Sequence, residues 1–212
     1  MARLTPLAVS TLALLAEHEM HPYEMYQLML RRREDRVINV SAGSLYRAVE
    51  RLASDQLISA SGVERAGHRP ERTVYAITDA GREALRETLA EMLSTHVNEY
   101  PQFPVAIREV RNLPALDVAR LLRGRLAEIS DSIRFMDAAR DRIAEKALAR
   151  HFVLDVHYAR AMLEAEAHWI AQTIGELDSG ELTWTVDDPA AAEAPSAASA
   201  HPEAPTQPHS RG

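Results

Sequence analysis

The stretch Ser41-Ala42-Gly43-Ser44-Leu45-Tyr46-Arg47-Ala48-Val49-Glu50-Arg51-Leu52-Ala53-Ser54 decides how the chain is read. Leu45, Val49 and Leu52 recur at i, i+4 and i+7, so a helix here has one narrow apolar face, and Ser41 stands where an N-cap belongs. The remaining surface is polar. Tyr46 and Glu50 form one row and Arg47, Arg51 and Ser54 the next, which sets two guanidinium groups one turn apart and away from the core. On an isolated helix such a pair is usually a solvated face, so its meaning depends on the neighbouring elements.

Upstream, Thr5 and Pro6 open a first helix that is apolar over most of its girth through Leu7, Val9, Leu12, Leu14 and Leu15, as a buried helix is. Pro22 opens a second, with Tyr23, Tyr26 and Met29 at three-residue steps before the run Arg31-Arg32-Arg33, whose charge also complements the helix dipole. Downstream, Ile58 to Glu64 and Arg72 to Ile77 read as two strands joined by Arg65-Ala66-Gly67-His68-Arg69-Pro70-Glu71, a hairpin with a basic tip. Three short helices followed by a two-stranded hairpin is the winged helix-turn-helix layout, in which the third helix enters the major groove and the hairpin reaches backbone or minor groove.

Thr78 then caps a fourth helix, with Leu85, Leu89, Met92 and Leu93 as its apolar side, running to about Val97. Pro101, Pro104 and Pro114 punctuate a hinge over 98–114 around a short amphipathic piece, Val105 to Val110. From Leu116 to about Arg150, Val118, Leu122, Leu126, Ile129, Ile133 and Met136 step by four and three, a narrow seam that needs a partner helix. The partner is the next segment, Phe152 to Leu177, the same helix in a second copy, or both. The expected fold is therefore mostly α, with a winged helix-turn-helix over 1–78, a linking helix and hinge over 79–114 and an antiparallel helical dimerisation arm over 115–182. Residues 183–212 are expected as a tail: from Asp187 onward Pro, Ala, Ser and Glu dominate, without the large apolar groups that offset ordering entropy.

Composition narrows the function classes. The chain has 212 residues, 46% of them hydrophobic, enough for a core. Without cysteine there are no disulfides, thiolate metal sites or Cys nucleophiles, and the cytoplasm is the expected compartment. The Leu/Ala run after Arg3 is not read as a signal peptide, because Pro6 heads it and bulky Leu14 sits where cleavage after Ala16 needs a small residue. No stretch has the apolar length of a membrane span. There is no Gly-rich phosphate loop, no G-x-S-x-G elbow and no acid–base cluster, so an enzyme is not expected. His18, Glu19 and His21, and His157, Glu164 and His168, lack the spacing of a recognised ligand set, and no metal or cofactor is assigned. The net charge of −7 is unevenly spread: residues 1–78 hold ten Arg and nine Asp/Glu, a balance of +1, which leaves −8 for the rest. Of the 24 basic residues all but Lys146 are arginine, which suits bidentate contacts and equally reflects GC-rich codons.

Five short motifs in order carry a resemblance: Leu4-Thr5-Pro6-Leu7, His21-Pro22-Tyr23-Glu24, Ser41-Ala42-Gly43-Ser44-Leu45-Tyr46, Val49-x-Arg51-Leu52 with Leu57-Ile58, and Val74-Tyr75-x-Ile77-Thr78-x-x-Gly81. Over 4–97 the chain resembles the PadR family of bacterial transcriptional regulators, and Phe103 to Leu182 looks like the longer helical arm of one branch. The resemblance implies a homodimer on double-stranded DNA, most often a repressor, with its recognition helices in successive major grooves about 34 Å apart on an inverted repeat. It sets Tyr23 and Tyr46 near the DNA backbone. Ser41, Ser44 and the N–H groups around Gly43 suit a phosphate oxygen, and Arg47 and Arg51 suit guanine O6 and N7. The wing would contribute His68, Arg69 and Arg72. Dimerisation is assigned to Leu122, Leu126, Ile129, Ile133 and Met136 on the first arm helix and to Leu163, Trp169 and Ile170 on the second, with Tyr158 and Met162 read as dimer core and not as a ligand cage.

The departures from the family pattern are local. Pro22 replaces a usual Gly, and Thr73 and Ala76 thin the charge of the wing. Gln56 stands where a helix-ending Gly is common, so a left-handed backbone there would cost on the order of 1 kcal/mol. Relief by a small-molecule effector is left open, since the fourth helix has no aromatic between Gly81 and Val97. The rival reading is a winged-helix scaffold whose acidic arm binds a protein partner.

Overall fold

A computed structural model describes residues 4–64, 72–144 and 149–186. The chain divides into two compact units, Met1–Glu99 and Tyr100–Gly212.

The first unit is built from α1 (Pro6–Glu17), α2 (Pro22–Arg32), α3 (Ala42–Ser54), the antiparallel strands β1 (Ile58–Glu64) and β2 (Arg72–Ile77), and α4 (Asp79–Ser94). Helix α1 is central: Ala8, Val9, Leu12, Leu14 and Leu15 are buried, and it packs on α3, α4 and β2. Its one buried polar side chain, Thr11, donates from Oγ1 to the Leu7 carbonyl at 2.7 Å. The Thr5 hydroxyl accepts from the Ala8 N–H and Pro6 opens the first turn, so the start of α1 is set by local chemistry. Helix α2 meets the core through Met25 and Met29, both fully buried, with Tyr26 packed against the same core, while Tyr23 of the Tyr23–Tyr26–Met29 row stays outside. Steps of three fall back by about 60° each around a helix of 100° per residue, so with Met29 fully buried the row has turned off the core by Tyr23, which is 50% exposed.

Strand β1 pairs with β2 from Ile58↔Ile77 to Glu64↔Arg72, with an irregularity between Ala60 and Gly62. On the other side of β2, Met20 exchanges backbone hydrogen bonds with Tyr75, at 3.1 and 3.2 Å. This third edge ties the α1–α2 connection to the hairpin. The pattern rules that locate strands do not see it, because a single bridging residue has no periodicity.

Helix α3 ends in a Schellman motif: Leu57 N–H donates to the Leu52 carbonyl at 2.9 Å and Gln56 N–H to Ala53 at 3.0 Å, with Leu52 and Leu57 both buried. Gln56 has φ 59°, the left-handed conformation expected from its position. Gln56→Gly should therefore stabilise the protein by about 1 kcal/mol, read as a higher denaturation midpoint; an unchanged or lower midpoint would contradict this account of the turn. Thr78 closes the joint, donating from Oγ1 to the carbonyls of Gln56 and Leu57 while accepting from the Gly81 N–H as N-cap of α4. In α4, Ala84 and Leu85 are buried, whereas Leu89, Met92 and Leu93, expected on the same apolar side, are exposed.

The second unit comprises α5 (Gln102–Arg108), a 3-10 turn at Val110–Asn112, α6 (Ala115–Ala144) and α7 (Leu154–Ser179). The 98–114 segment, read as a hinge, thus contains a helix, and Phe103, Ile107 and Val110 pack on the core of this unit. That core is the α6–α7 seam: Val118, Leu122 and Ile129 of α6 against Ile170 and Ile174 of α7, flanked by Leu126, Ile133, Leu163 and Leu177. Salt bridges line its flanks, Arg123 to Asp178, Arg125 to Glu166 and Arg160 to Asp137. The Arg160 hydrogen bond holds the Asp137 carboxyl below the usual carboxylate range. Trp184 donates from Nε1 to the Leu113 carbonyl at 2.9 Å, fastening the end of the unit to its beginning.

Candidate nucleic-acid interface

The polar side of α3 is assembled from its first turn. Ser41 is the N-cap: its Oγ accepts from Ser44 N–H at 3.1 Å, and Ser44 Oγ accepts from Ser41 N–H at 2.9 Å. The two hydroxyls also bond each other, and Ser44 Oγ reaches the Ser41 carbonyl. Both serines are thereby occupied as a reciprocal cap. Of the four N–H groups that a helix start leaves without an intrahelical acceptor, Ser41 and Ser44 are satisfied, and those of Ala42 and Gly43 remain to face outward.

Arg47 folds back toward these two groups. A Cβ placed on Gly43 would lie 3.6 Å from Arg47 Nη1, so the guanidinium rests beside the N-terminus of the helix. That is the positive end of the helix dipole, where a cation is disfavoured unless an anion joins it. Arg51 lies elsewhere on α3, in a cleft with Ala48, Asp55 and the start of α1 at Leu4, Thr5 and Ala8. The two arginines drawn as one row from the sequence are therefore directed to different surroundings. Both are exposed, and among the described residues neither forms an ion pair. Arg32, by contrast, clamps Glu17 through two N–H donors, which lowers the Glu17 carboxyl from its ordinary value.

Beside the first turn of α3 lies the start of α2. His21 Nδ1 accepts from Tyr23 N–H at 3.0 Å as N-cap, and its ring meets Tyr46 edge to face at 6.4 Å. This His21 contact was not read from the sequence; the signal was its place just before Pro22, where an acceptor side chain caps. Tyr23 and Tyr46 are both exposed. Within the wing, His68 and Arg69 lie outside the described residues, as does the side chain of Arg72, whose backbone pairs with Glu64.

The residues assigned to dimerisation have mixed surroundings. Leu122, Ile129 and Ile170 are buried inside the unit, with Leu126, Ile133 and Leu163 packed against them, and Met136 is half-buried. Trp169 is 42% exposed and meets Phe103 edge to face at 6.2 Å, while Arg125 stacks over the other side chain of that pair at 3.8 Å from the Phe103 centroid. Among the described residues no helix is long and apolar enough to cross a membrane, and no group of His, Asp and Glu has the arrangement of a metal site.

Comparison with known proteins places this geometry. Residues 11–87 match the family described as Transcriptional regulator PadR-like family. A comparison with curated proteins yields no match. Among solved structures, Bacillus subtilis PadR in complex with operator DNA is 14% identical, with a TM-score of 0.69 over 82% of this chain and 99% of that one. Bacillus subtilis PadR in complex with p-coumaric acid is 15% identical, with a TM-score of 0.64 over 81% of this chain and 98% of that one. A PadR-like transcriptional regulator from Bacillus cereus is 17% identical, with a TM-score of 0.58 over 82% and 99%. At these identities the likeness establishes a shared fold. The family match itself covers the winged helix and the start of the following helix, residues 11–87.

Proposed function

We propose that the chain acts as a homodimeric, sequence-specific DNA-binding regulator, a repressor that occupies an inverted-repeat operator through α3 of each subunit. The observation that carries this reading is the start of α3, where two N–H groups without an intrahelical acceptor, the positive end of a helix dipole and the Arg47 guanidinium lie together. A phosphate oxygen satisfies all three at once. Tyr46 follows in the first turns of α3 with its ring against His21, Tyr23 is exposed at the start of α2, and Arg51 lies farther along α3, where a guanidinium suits a guanine edge. The structural likeness to a PadR solved on operator DNA supports the same docking.

Support for a dimer comes from α7. Tyr158, Met162, Ala165 and Trp169 follow i, i+4, i+7 and i+11, and the three large ones are at least 42% exposed, a second apolar stripe apart from the seam used within the chain. A second copy covers it. Because one solved relative carries p-coumaric acid, a small organic effector is included in the reading, with its identity left to binding experiments.

The test is binding to DNA upstream of the gene, across a salt series. Arg47→Ala should weaken binding to all sequences alike and lower the salt slope by about one, the signature of a lost phosphate contact. Arg51→Ala should cost roughly 1–3 kcal/mol and relax one base position. If the parent protein fails to bind that DNA at low salt, the reading falls.

A further inference from the structure

The proposed reading of α3 leaves one residue unused, and it is the one whose charge is wrong for DNA. Glu50 and Arg51 flank the outermost line of α3, about 50° to either side of the direction opposite Leu45, Val49 and Leu52, at 100° per residue. Glu50 is exposed, and among the described residues its side chain has no hydrogen bond or ion pair. The natural partner one turn back, Arg47 at i−3, is turned toward Gly43 and away from it. Glu50 thus stands exposed on the face of α3 that the reading above turns toward the groove, with no ion pair among the described residues.

A bare carboxylate at such a place repels phosphate and the acceptor-rich edges of guanine, so it lowers affinity for most sequences. It meets a favourable partner only where the groove offers an amine. In the major groove that is cytosine N4–H₂, for which a carboxylate is the matching acceptor, while adenine presents its amine beside the N7 acceptor and matches an amide better. We propose, resting on the DNA-binding reading above, that Glu50 is a specificity-determining residue. It accepts a hydrogen bond from a cytosine amine in each half-site and repels sites lacking that cytosine. Discrimination against wrong sites is then built from a repulsive element as well as from the attraction of Arg51.

The experiment is selection from randomised duplexes by the full chain, for the parent, Glu50→Gln, Glu50→Asp and Arg51→Ala. The parent should select one half-site position as cytosine by on the order of tenfold over other bases. Glu50→Gln should lose that preference or shift it to adenine, with every other position unchanged and affinity for random duplex raised. Glu50→Asp should keep part of it. Arg51→Ala should relax a different position. An identical motif in parent and Glu50→Gln overturns the inference while leaving DNA binding intact, as does a uniform weakening at all positions, or loss of an adenine in place of a cytosine. Selection of no motif by the parent overturns both readings.

Discussion

Gly81→Ala is expected to lower stability by about 3 kcal/mol or more, at the upper end of what overpacking costs, and to abolish DNA binding at temperatures where the parent is folded. Gly81 is not among the residues with positive φ; what it supplies is space. A Cβ there would lie 2.0 Å from the Leu57 carbonyl oxygen, 3.0 Å from the Leu57 carbonyl carbon and 2.9 Å from Ile77 Cγ1. The obstacle is backbone, and it is held: the Leu57 oxygen accepts from Thr78 N–H at 3.1 Å and from Thr78 Oγ1 at 3.0 Å. Leu57 is itself buried as the closing residue of the α3 Schellman turn. Moving it away breaks the turn that ends α3, the cap that starts α4, or both. Urea denaturation of the parent and the variant measures the loss, and a cost below about 1 kcal/mol would mean that this joint yields more than its hydrogen bonds allow.

Ile170→Ala is expected to cost 2–5 kcal/mol, on the order found for truncations of fully buried aliphatic side chains. Ile170 is 0% exposed, at the centre of the α6–α7 seam with Leu122 and Ile129. The side chains left around the vacated space belong to two long helices held by salt bridges on both flanks, so collapse into the gap is limited. The loss should appear in thermal or urea unfolding of the second unit. If instead the variant keeps its midpoint and changes only its oligomeric state, Ile170 serves chiefly a second copy and the account of the seam is wrong.

Much of the reading head was legible because its signals are local. Thr5, Ser41 and Thr78 cap α1, α3 and α4 as their residue types require, and both strands run between the residues at which alternation begins and ends. The left-handed turn at Gln56 was legible too, since the helix has to end before buried Leu57. The arm shows the limit. A four–three repeat states that a helix has one apolar seam, but the same repeat suits a neighbour in the chain and a second copy, so it left both open for Leu122, Ile129 and Ile170.

The amino-acid order by itself determined the elements, their sequence along the chain and the residue types on the outer face of α3, because periodicity and capping act within a few residues. Only the tertiary structure decided which hydrophobic seam closes inside the chain, that Met20 joins the wing, that Gly81 must stay small, and that Arg47 turns to the helix N-terminus while Glu50 has no ion pair among the described residues. Those outcomes depend on which groups meet across distant parts of the chain, and no repeat within a single segment encodes the meeting.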